Sequence, residues 1–336
     1  MPAPHPDTPP IEPDFEPVQP NGYPEVIETS GDFEPAQPPH PPPHELDNNP
    51  RYRVLHGFSS RFLPDDRDIA IYFPEAYRTQ PRRRFPVFYL NDGQNLFDGR
   101  TSYCTNRTWR AHTTADELTR AGLIEPLILV GIANTGVRRM AEYTPTRDFR
   151  RGGGEGSLYG KLLVKDLKPL IDRRFRTLTD CHNTGLGGSS LGGLVTLAIG
   201  LEHPSVFGKL AVMSPSVWWD NRSLLMLVNE ANPKPDLRIW LDMGTAEGLR
   251  HLRDADLLHR RLVQRGWRDS VDLRYLRVPG AVHDEDAWAA RFGDVLRFLF
   301  PPPAQPYAFI SRPRATSIPQ NDHEDSIANH AEIRDT

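Results

Sequence analysis

The chain has 336 residues and a formal net charge of −4, long enough for about two domains at roughly 150 residues each. Composition argues for one. Sixteen of the 34 prolines and ten acids, with no Lys or Arg and only three aromatics, lie in the first 50 residues, a mixture too poor in apolar side chains to offset its ordering entropy. Residues 1–50 therefore read as a disordered, proline-rich acidic tail and 303–336, with five acids against three arginines, as a loose C-terminal tail. The body between them, 51–302, carries +8.

The same arithmetic excludes several classes. Arginine supplies 35 of the 40 basic residues, but scattered, without aromatic interleaving or a nucleic-acid motif, so no nucleic-acid partner is expected. Cys104 and Cys181 make no disulfide scaffold and have no metal-ligand spacing; whether they pair is not legible. The longest apolar run, 191–201, is too short to span a bilayer. The N-terminus shows neither a basic nor an apolar leader segment, and the expectation is a cytoplasmic protein without a membrane partner. No repeat of fixed period points to a solenoid or propeller. Oligomeric state is not encoded legibly.

In chain order, the body opens with a pair of strands from Arg51, the second over 67–73. Continuous apolar runs at 85–90 (FPVFYL) and 126–132 (PLILVGI) read as strands buried on both faces. Helical periodicity runs over 108–121 and over 158–175, where Leu158, Leu162, Leu163, Leu167, Leu170 and Ile171 share a face. A helix at 191–201, a strand at 210–213, a strand at 237–241, a helix at 249–265, a strand at 271–278 and a helix at 285–300 follow. Strands alternating with helices predict an α/β protein with a mostly parallel central sheet flanked by helices. Ligands in such sheets bind outside the carboxyl ends of the strands.

Gly188-Ser189-Ser190-Leu191-Gly192 has the spacing of a nucleophile elbow, a strand-to-helix turn that presents a serine hydroxyl and leaves no room for a Cβ on either flank. The stretch before it, 182–186 (HNTGL), is unusually polar for a buried strand. A serine needs a base, and the base needs an orienting acid. Of the histidines after Ser190, His203 precedes a proline at a helix end and His251 and His259 share a helix, while His283 sits in a loop between a strand and a helix. For the acid, Asp242 lies nearer the 237–241 strand, and Glu247 follows the turn from which a carboxylate could reach back to His283. The oxyanion hole requires two backbone N–H groups, one from Leu191 and one from the Asn91-Asp92-Gly93-Gln94 loop, with Gln94 the choice.

Together, FPVFYLNDGQNLFD (85–98), VGIAN (130–134), RRMAEYTP (138–145), GGSSLGG (187–193), MSPSVWW (213–219), LDMGTAEG (241–248) and HDEDAW (283–288) resemble the esterase family of α/β-hydrolases that includes enterochelin, feruloyl and acetylxylan esterases, esterase D and mycolyltransferases. The resemblance runs from about 51 to 300. It implies an α/β-hydrolase fold, a nucleophile at Ser190, a base at His283, an acid at Glu247 in preference to Asp242, and oxyanion amides at Gln94 and Leu191. It also implies a pocket near Glu142, Tyr143, Trp218 and Trp219, a small-molecule ester as substrate, and neither metal nor organic cofactor; Asp92, from the residues alone, either stabilises its own turn or meets a polar group of the substrate in that pocket. The expected activity is serine carboxylic-ester hydrolysis through an acyl-enzyme. The same triad would serve an acyltransferase, and a non-catalytic binding protein on the same scaffold is the remaining alternative.

Overall fold

The computed structural model describes residues 45–104 and 106–302. Of the tails expected over 1–50 and 303–336, residues 1–44 and 303–336 lie outside the described residues. At the N-terminal boundary the expectation is corrected: Leu46 is buried, Glu45 meets His112 Nε2 at 2.6 Å and Asp47 accepts from Arg100 at 2.7 Å, so folded structure starts before residue 51. One buried leucine flanked by two acids with cationic or imidazole partners is invisible to a composition argument.

Two long strands open the fold, β1 (Tyr52–Ser60) and β2 (Leu63–Tyr72), followed by a short helix α1 (Glu75–Thr79). Then come β3 (Val87–Asn91), α2 (Ala111–Arg120), β4 (Ile128–Ile132), α3 (Arg139–Glu142) and the two-residue strands β5 (Arg147–Asp148) and β6 (Gly152–Gly153). The 158–175 periodicity is realised as α4 (Gly156–Lys161), a π-helical stretch over Leu162–Leu167 and α5 (Lys168–Arg174). The remainder alternates: β7 (Thr184–Ser189), α6 (Leu191–Glu202), β8 (Lys209–Met213), α7 (Trp219–Glu230), β9 (Arg238–Gly244), α8 (Leu249–Gln264), β10 (Leu273–Val278) and α9 (Glu285–Leu299).

Eight strands form one sheet in the order β1-β2-β4-β3-β7-β8-β9-β10. β1 and β2 pair antiparallel, as do β2 and β4; every later neighbour pairs parallel. Two apolar layers cover the faces, one built on Leu162, Leu194, Leu210 and Trp219, the other on Phe88, Trp109, Phe292 and Phe300. Helix α7 was not foreseen from periodicity; it begins with Asp220, Asn221 and Arg222 at φ of 41°, 50° and 65°, a non-helical entry that hides the start of the repeat.

The polar stretch before the elbow divides: His182 and Asn183 stand in a 3₁₀ turn ahead of the sheet, and from Thr184 the chain is a fully buried central strand, β7. Its glycines are required by volume. A Cβ on Gly185 would lie 2.9 Å from both Phe88 Cδ2 and Phe300 Cζ, so two phenyl rings fill the space that side chains of an ordinary strand would take. Gly185→Ala is therefore expected to destabilise the fold by about 1–3 kcal/mol, the usual cost of overpacking. Thermal unfolding followed by circular dichroism checks this; an unchanged Tm would contradict it.

Candidate active site

The carboxyl ends of β3, β4 and β7 open into one cavity of ≈ 360 Å³, lined among others by Asp92, Gln94, Arg139, Ser190, His283 and Glu285. Ser190 sits between β7 and α6 with φ 59° and ψ −122°, a backbone region costly for any residue but glycine. The strain is held by neighbours: Ser190 N–H donates to the Met213 carbonyl at 3.1 Å, and its own carbonyl accepts from Leu194 and Ser216 N–H groups at 3.0 and 3.1 Å. A Cβ on Gly188 would come within 2.9 Å of Asn91 Cβ and 3.0 Å of the Gly192 carbonyl carbon, so the elbow closes only around glycine. The Ser190 hydroxyl lies 3.4 Å from that of Ser216. Its partner in this arrangement is Ser216, and His283 faces the same cavity without a direct hydrogen bond to it.

His283 Nδ1 is 2.6 Å from Glu247 Oε2. Glu247 Oε1 accepts from Ser214 Oγ at 2.6 Å and Gly244 N–H at 2.8 Å. Burial pushes this carboxyl up, but the hydrogen bonds from His283, Ser214 and Gly244 outweigh it and hold Glu247 below the ordinary glutamate range. Glu247 is thus an acceptor at both oxygens, which puts the Nδ1 proton on His283 and leaves its Nε2 lone pair free. Trp288 packs edge-on against the imidazole, centroids 4.9 Å apart. Of the two candidate acids, geometry pairs Glu247 with the histidine. Asp242 is fully buried and takes donors from Trp240 Nε1 at 2.6 Å, Arg291 Nη2 at 3.0 Å and Ser214 N–H at 3.1 Å; burial pushes it above the ordinary aspartate range against their pull.

The two amides expected to form an oxyanion hole both belong to first turns, where helical geometry leaves N–H groups without an internal acceptor. Leu191 opens α6, and Gln94 lies in the 3₁₀ turn Gly93–Asn95. That turn is pressed against β4: a Cβ on Gly93 would stand 2.4 Å from the Gly131 carbonyl carbon. Asp92 at φ 56° precedes it, and Gln94 Oε1 accepts from Asn134 N–H at 3.2 Å.

The pocket expectation is corrected at four of its five residues. Asp92 lines the cavity, bidentate with Arg139 at 2.7 Å through both oxygens. Glu142, Tyr143, Trp218 and Trp219 do not line it. Glu142 is fully buried against Arg67 at 2.8 and 3.1 Å, a core ion pair. The Tyr143 hydroxyl, also buried, accepts from Asp92 N–H at 3.1 Å and supports the wall from behind. Trp219 donates to the Thr146 carbonyl from the core, and Trp218 stacks under Arg151 at 5.3 Å. Aromatic and Glu-Tyr motifs serve packing and binding alike, so their sequence could not separate the two.

Sequence reasoning missed Arg139, Asn95, Glu285, Ser214 and Arg291. All but Arg291 stand within the motifs quoted above, but long-range pairs such as Asn95 Nδ2 to Glu285 at 3.1 Å have no local signature. Cys104 and Cys181 are free thiols. Cys104 lines the cavity, but burial and then Glu285 push its thiol up, which makes it a poor nucleophile. Among the described residues no helix is long and apolar enough to cross a membrane.

Known proteins share this architecture. A family model described as "Putative esterase" matches residues 60–299. The protein YbbA of Bacillus subtilis is 26% identical over 260 residues, spanning 73% of this chain and 97% of its own length. The ferri-bacillibactin esterase BesA of the same organism is 26% identical over 179 residues, 48% of this chain and 58% of BesA. Among solved structures, the BES protein of Bacillus cereus has a TM-score of 0.61 at 23% identity, over 75% of this chain and 95% of that one. With an elbow serine at the head of a mostly parallel sheet and a family match running through almost the whole described body, the chain belongs to this esterase family of α/β-hydrolases and is a carboxylic ester hydrolase.

Proposed function

We propose that the protein hydrolyses small-molecule esters through a Ser190-His283-Glu247 triad and an acyl-enzyme. The observation that carries this reading is the 2.6 Å contact between His283 and a Glu247 held ionised, across one cavity from a strained elbow serine. His283 Nε2 takes the Ser190 proton as Oγ bonds to the ester carbonyl carbon. The oxyanion is held by the Gln94 and Leu191 N–H groups. Collapse breaks the carbon–oxygen bond to the alcohol, which leaves with the proton from His283. Water then attacks the acyl-enzyme with His283 again as base, and Ser190 recovers its proton.

The cavity volume suits a small ester group, and its wall carries charged groups among apolar surface: the Asp92–Arg139 pair and the buried Glu285 offer them to hydroxyl-bearing substrates. A panel of p-nitrophenyl esters read for a pre-steady-state burst tests the acyl-enzyme. A burst matching the enzyme concentration is expected, and hydrolysis without one, from enzyme whose deacylation is limiting, contradicts it. Adding a sugar or alcohol acceptor to the same assay separates the alternatives: the acid product should persist, whereas transfer to the acceptor would make the protein an acyltransferase.

The pH profile follows from Glu247. Because its folded value is depressed, it stays ionised as pH falls through the ordinary glutamate range of about 4.3. The acid limb of log kcat/KM should therefore fall with unit slope, from His283 alone. A slope of two above that range would show Glu247 protonating together with the imidazole and contradict the assignment.

A further inference from the structure

Behind Glu247 lies a buried polar cluster that the triad chemistry does not itself use. Ser214, the residue after β8, is 1% exposed and holds φ 39°, a left-handed conformation unusual for serine. Its hydroxyl has three partners. Trp288 Nε1 lies at 3.1 Å and Arg291 Nη2 at 2.6 Å, and both groups can only donate. Both hydroxyl lone pairs are thereby taken, and the one proton must point to Glu247 Oε1 at 2.6 Å. The orientation of the rotor follows from donor–acceptor accounting alone.

Arg291 is 3% exposed and bonds the Ala287 carbonyl through Nη1. Through Nη2 it also reaches Asp242 Oδ1 at 3.0 Å and stands 3.7 Å from Glu247 Oε1. The charged groups facing Glu247 are thus Asp242 from β9, Arg291 from α9 and His283 from the loop before α9, with Ser214, Trp240 and Trp288 as neutral neighbours. One guanidinium lies between two carboxyl groups. With both ionised, the cluster has one net negative charge, which the imidazolium formed in the transition state would neutralise.

Resting on the triad reading above, we propose that Ser214 and Arg291 are positioning residues that fix the orientation and charge of Glu247 and so set the basicity of His283. Ser214 presents a single proton that locks one carboxylate oxygen, turning the other toward His283. Arg291 holds Ser214 in its strained conformation from one side and balances Asp242 from the other. Trp288 ties the two halves together, donating to Ser214 while its ring flanks His283.

The test compares Ser214→Ala, Arg291→Met and Arg291→Lys with the unmodified protein, with rates normalised to active sites titrated by a fluorophosphonate and folding checked by circular dichroism. Ser214→Ala should lower kcat by about 10- to 100-fold at unchanged KM, the range for losing hydrogen bonds to a charged group. Arg291→Met removes a positive charge facing the Glu247–His283 pair, which favours the imidazolium, so the acid limb of kcat/KM should move to higher pH. Arg291→Lys keeps the charge and should restore the limb to its original position while kcat stays reduced. A purely structural role predicts the opposite pattern, fewer titratable sites with the limb unmoved in all three, and that result overturns the proposal. So does full kcat per site in Ser214→Ala. Should Arg291→Met fail to fold, Ser214→Ala and Arg291→Lys still decide, through kcat per titrated site: a reduced value in both is expected, and full values overturn the proposal. Ser190→Ala is run beside them: if it retains activity, the triad reading has failed, and if it is dead while the other variants behave as wild type, only the present inference has.

Discussion

Replacing Ser190 by alanine is expected to lower kcat by about 10⁴–10⁶-fold, by comparison with removal of the nucleophile in other triad enzymes. The size follows from what is lost: no other hydroxyl is in the same position. Ser216, whose hydroxyl is 3.4 Å from Ser190 Oγ, follows the next strand, β8, and not the strained turn between β7 and α6. Residual catalysis of about 10³–10⁴ over water would remain from the oxyanion donors and binding. The measurement is the steady-state rate on an activated ester with protein checked for folding. A variant that keeps more than about a tenth of the rate removes Ser190 from the mechanism, since knockouts of this kind lose several orders of magnitude.

The second large effect is expected at Glu247. Glu247→Gln preserves volume but replaces one acceptor oxygen by an NH₂ group, and whichever way the amide turns, one contact fails. Facing His283, the NH₂ meets the Nδ1 proton at the 2.6 Å site; facing Ser214, it meets a hydroxyl whose lone pairs are already filled by Trp288 and Arg291. The first outcome forces the imidazole into the wrong tautomer, a change that costs about 10⁴ in kcat in a serine protease. The expected loss here is about 10³–10⁴-fold, with KM little altered because Glu247 does not line the cavity. Asp242→Asn should lose far less, as Asp242 touches Trp240, Ser214 and Arg291 but not the histidine. Equal losses at the two positions, or a larger one at Asp242, would reverse the choice of acid.

The contrast between these two carboxylates also shows what was legible in the sequence. The elbow was readable because glycine spacing and a following helix are local, and so was the placing of His283 between a strand and a helix. The strand–helix alternation placed seven of the eight sheet strands and the long helices other than α7, with boundaries displaced by a few residues. The family resemblance chose Glu247, and the geometry pairs that residue with His283. Two other expectations failed for physical reasons. The 182–186 stretch looked too polar for a core strand because His182 and Asn183 belong to a turn ahead of β7 and because the side-chain space at Gly185 is filled by Phe88 and Phe300, which are about 100 residues away on either side. Glu142 looked like a pocket acid because nothing local shows that Arg67, 75 residues earlier, neutralises it in the core. What could not be read was the support of the site: Ser214, Arg291, Asn95 and Arg139 acquire their meaning only when β3, β8 and α9 are brought to one end of the sheet.

Treating the protein with a serine-directed fluorophosphonate and mapping the adduct by mass spectrometry tests the central claim most directly. The probe forms a phosphorus–oxygen bond with an activated serine and expels fluoride. The account predicts stoichiometric labelling at Ser190, blocked in Ser190→Ala and slowed in Glu247→Gln. A folded protein left unlabelled, or labelled instead at Ser216 or Ser189, would contradict it.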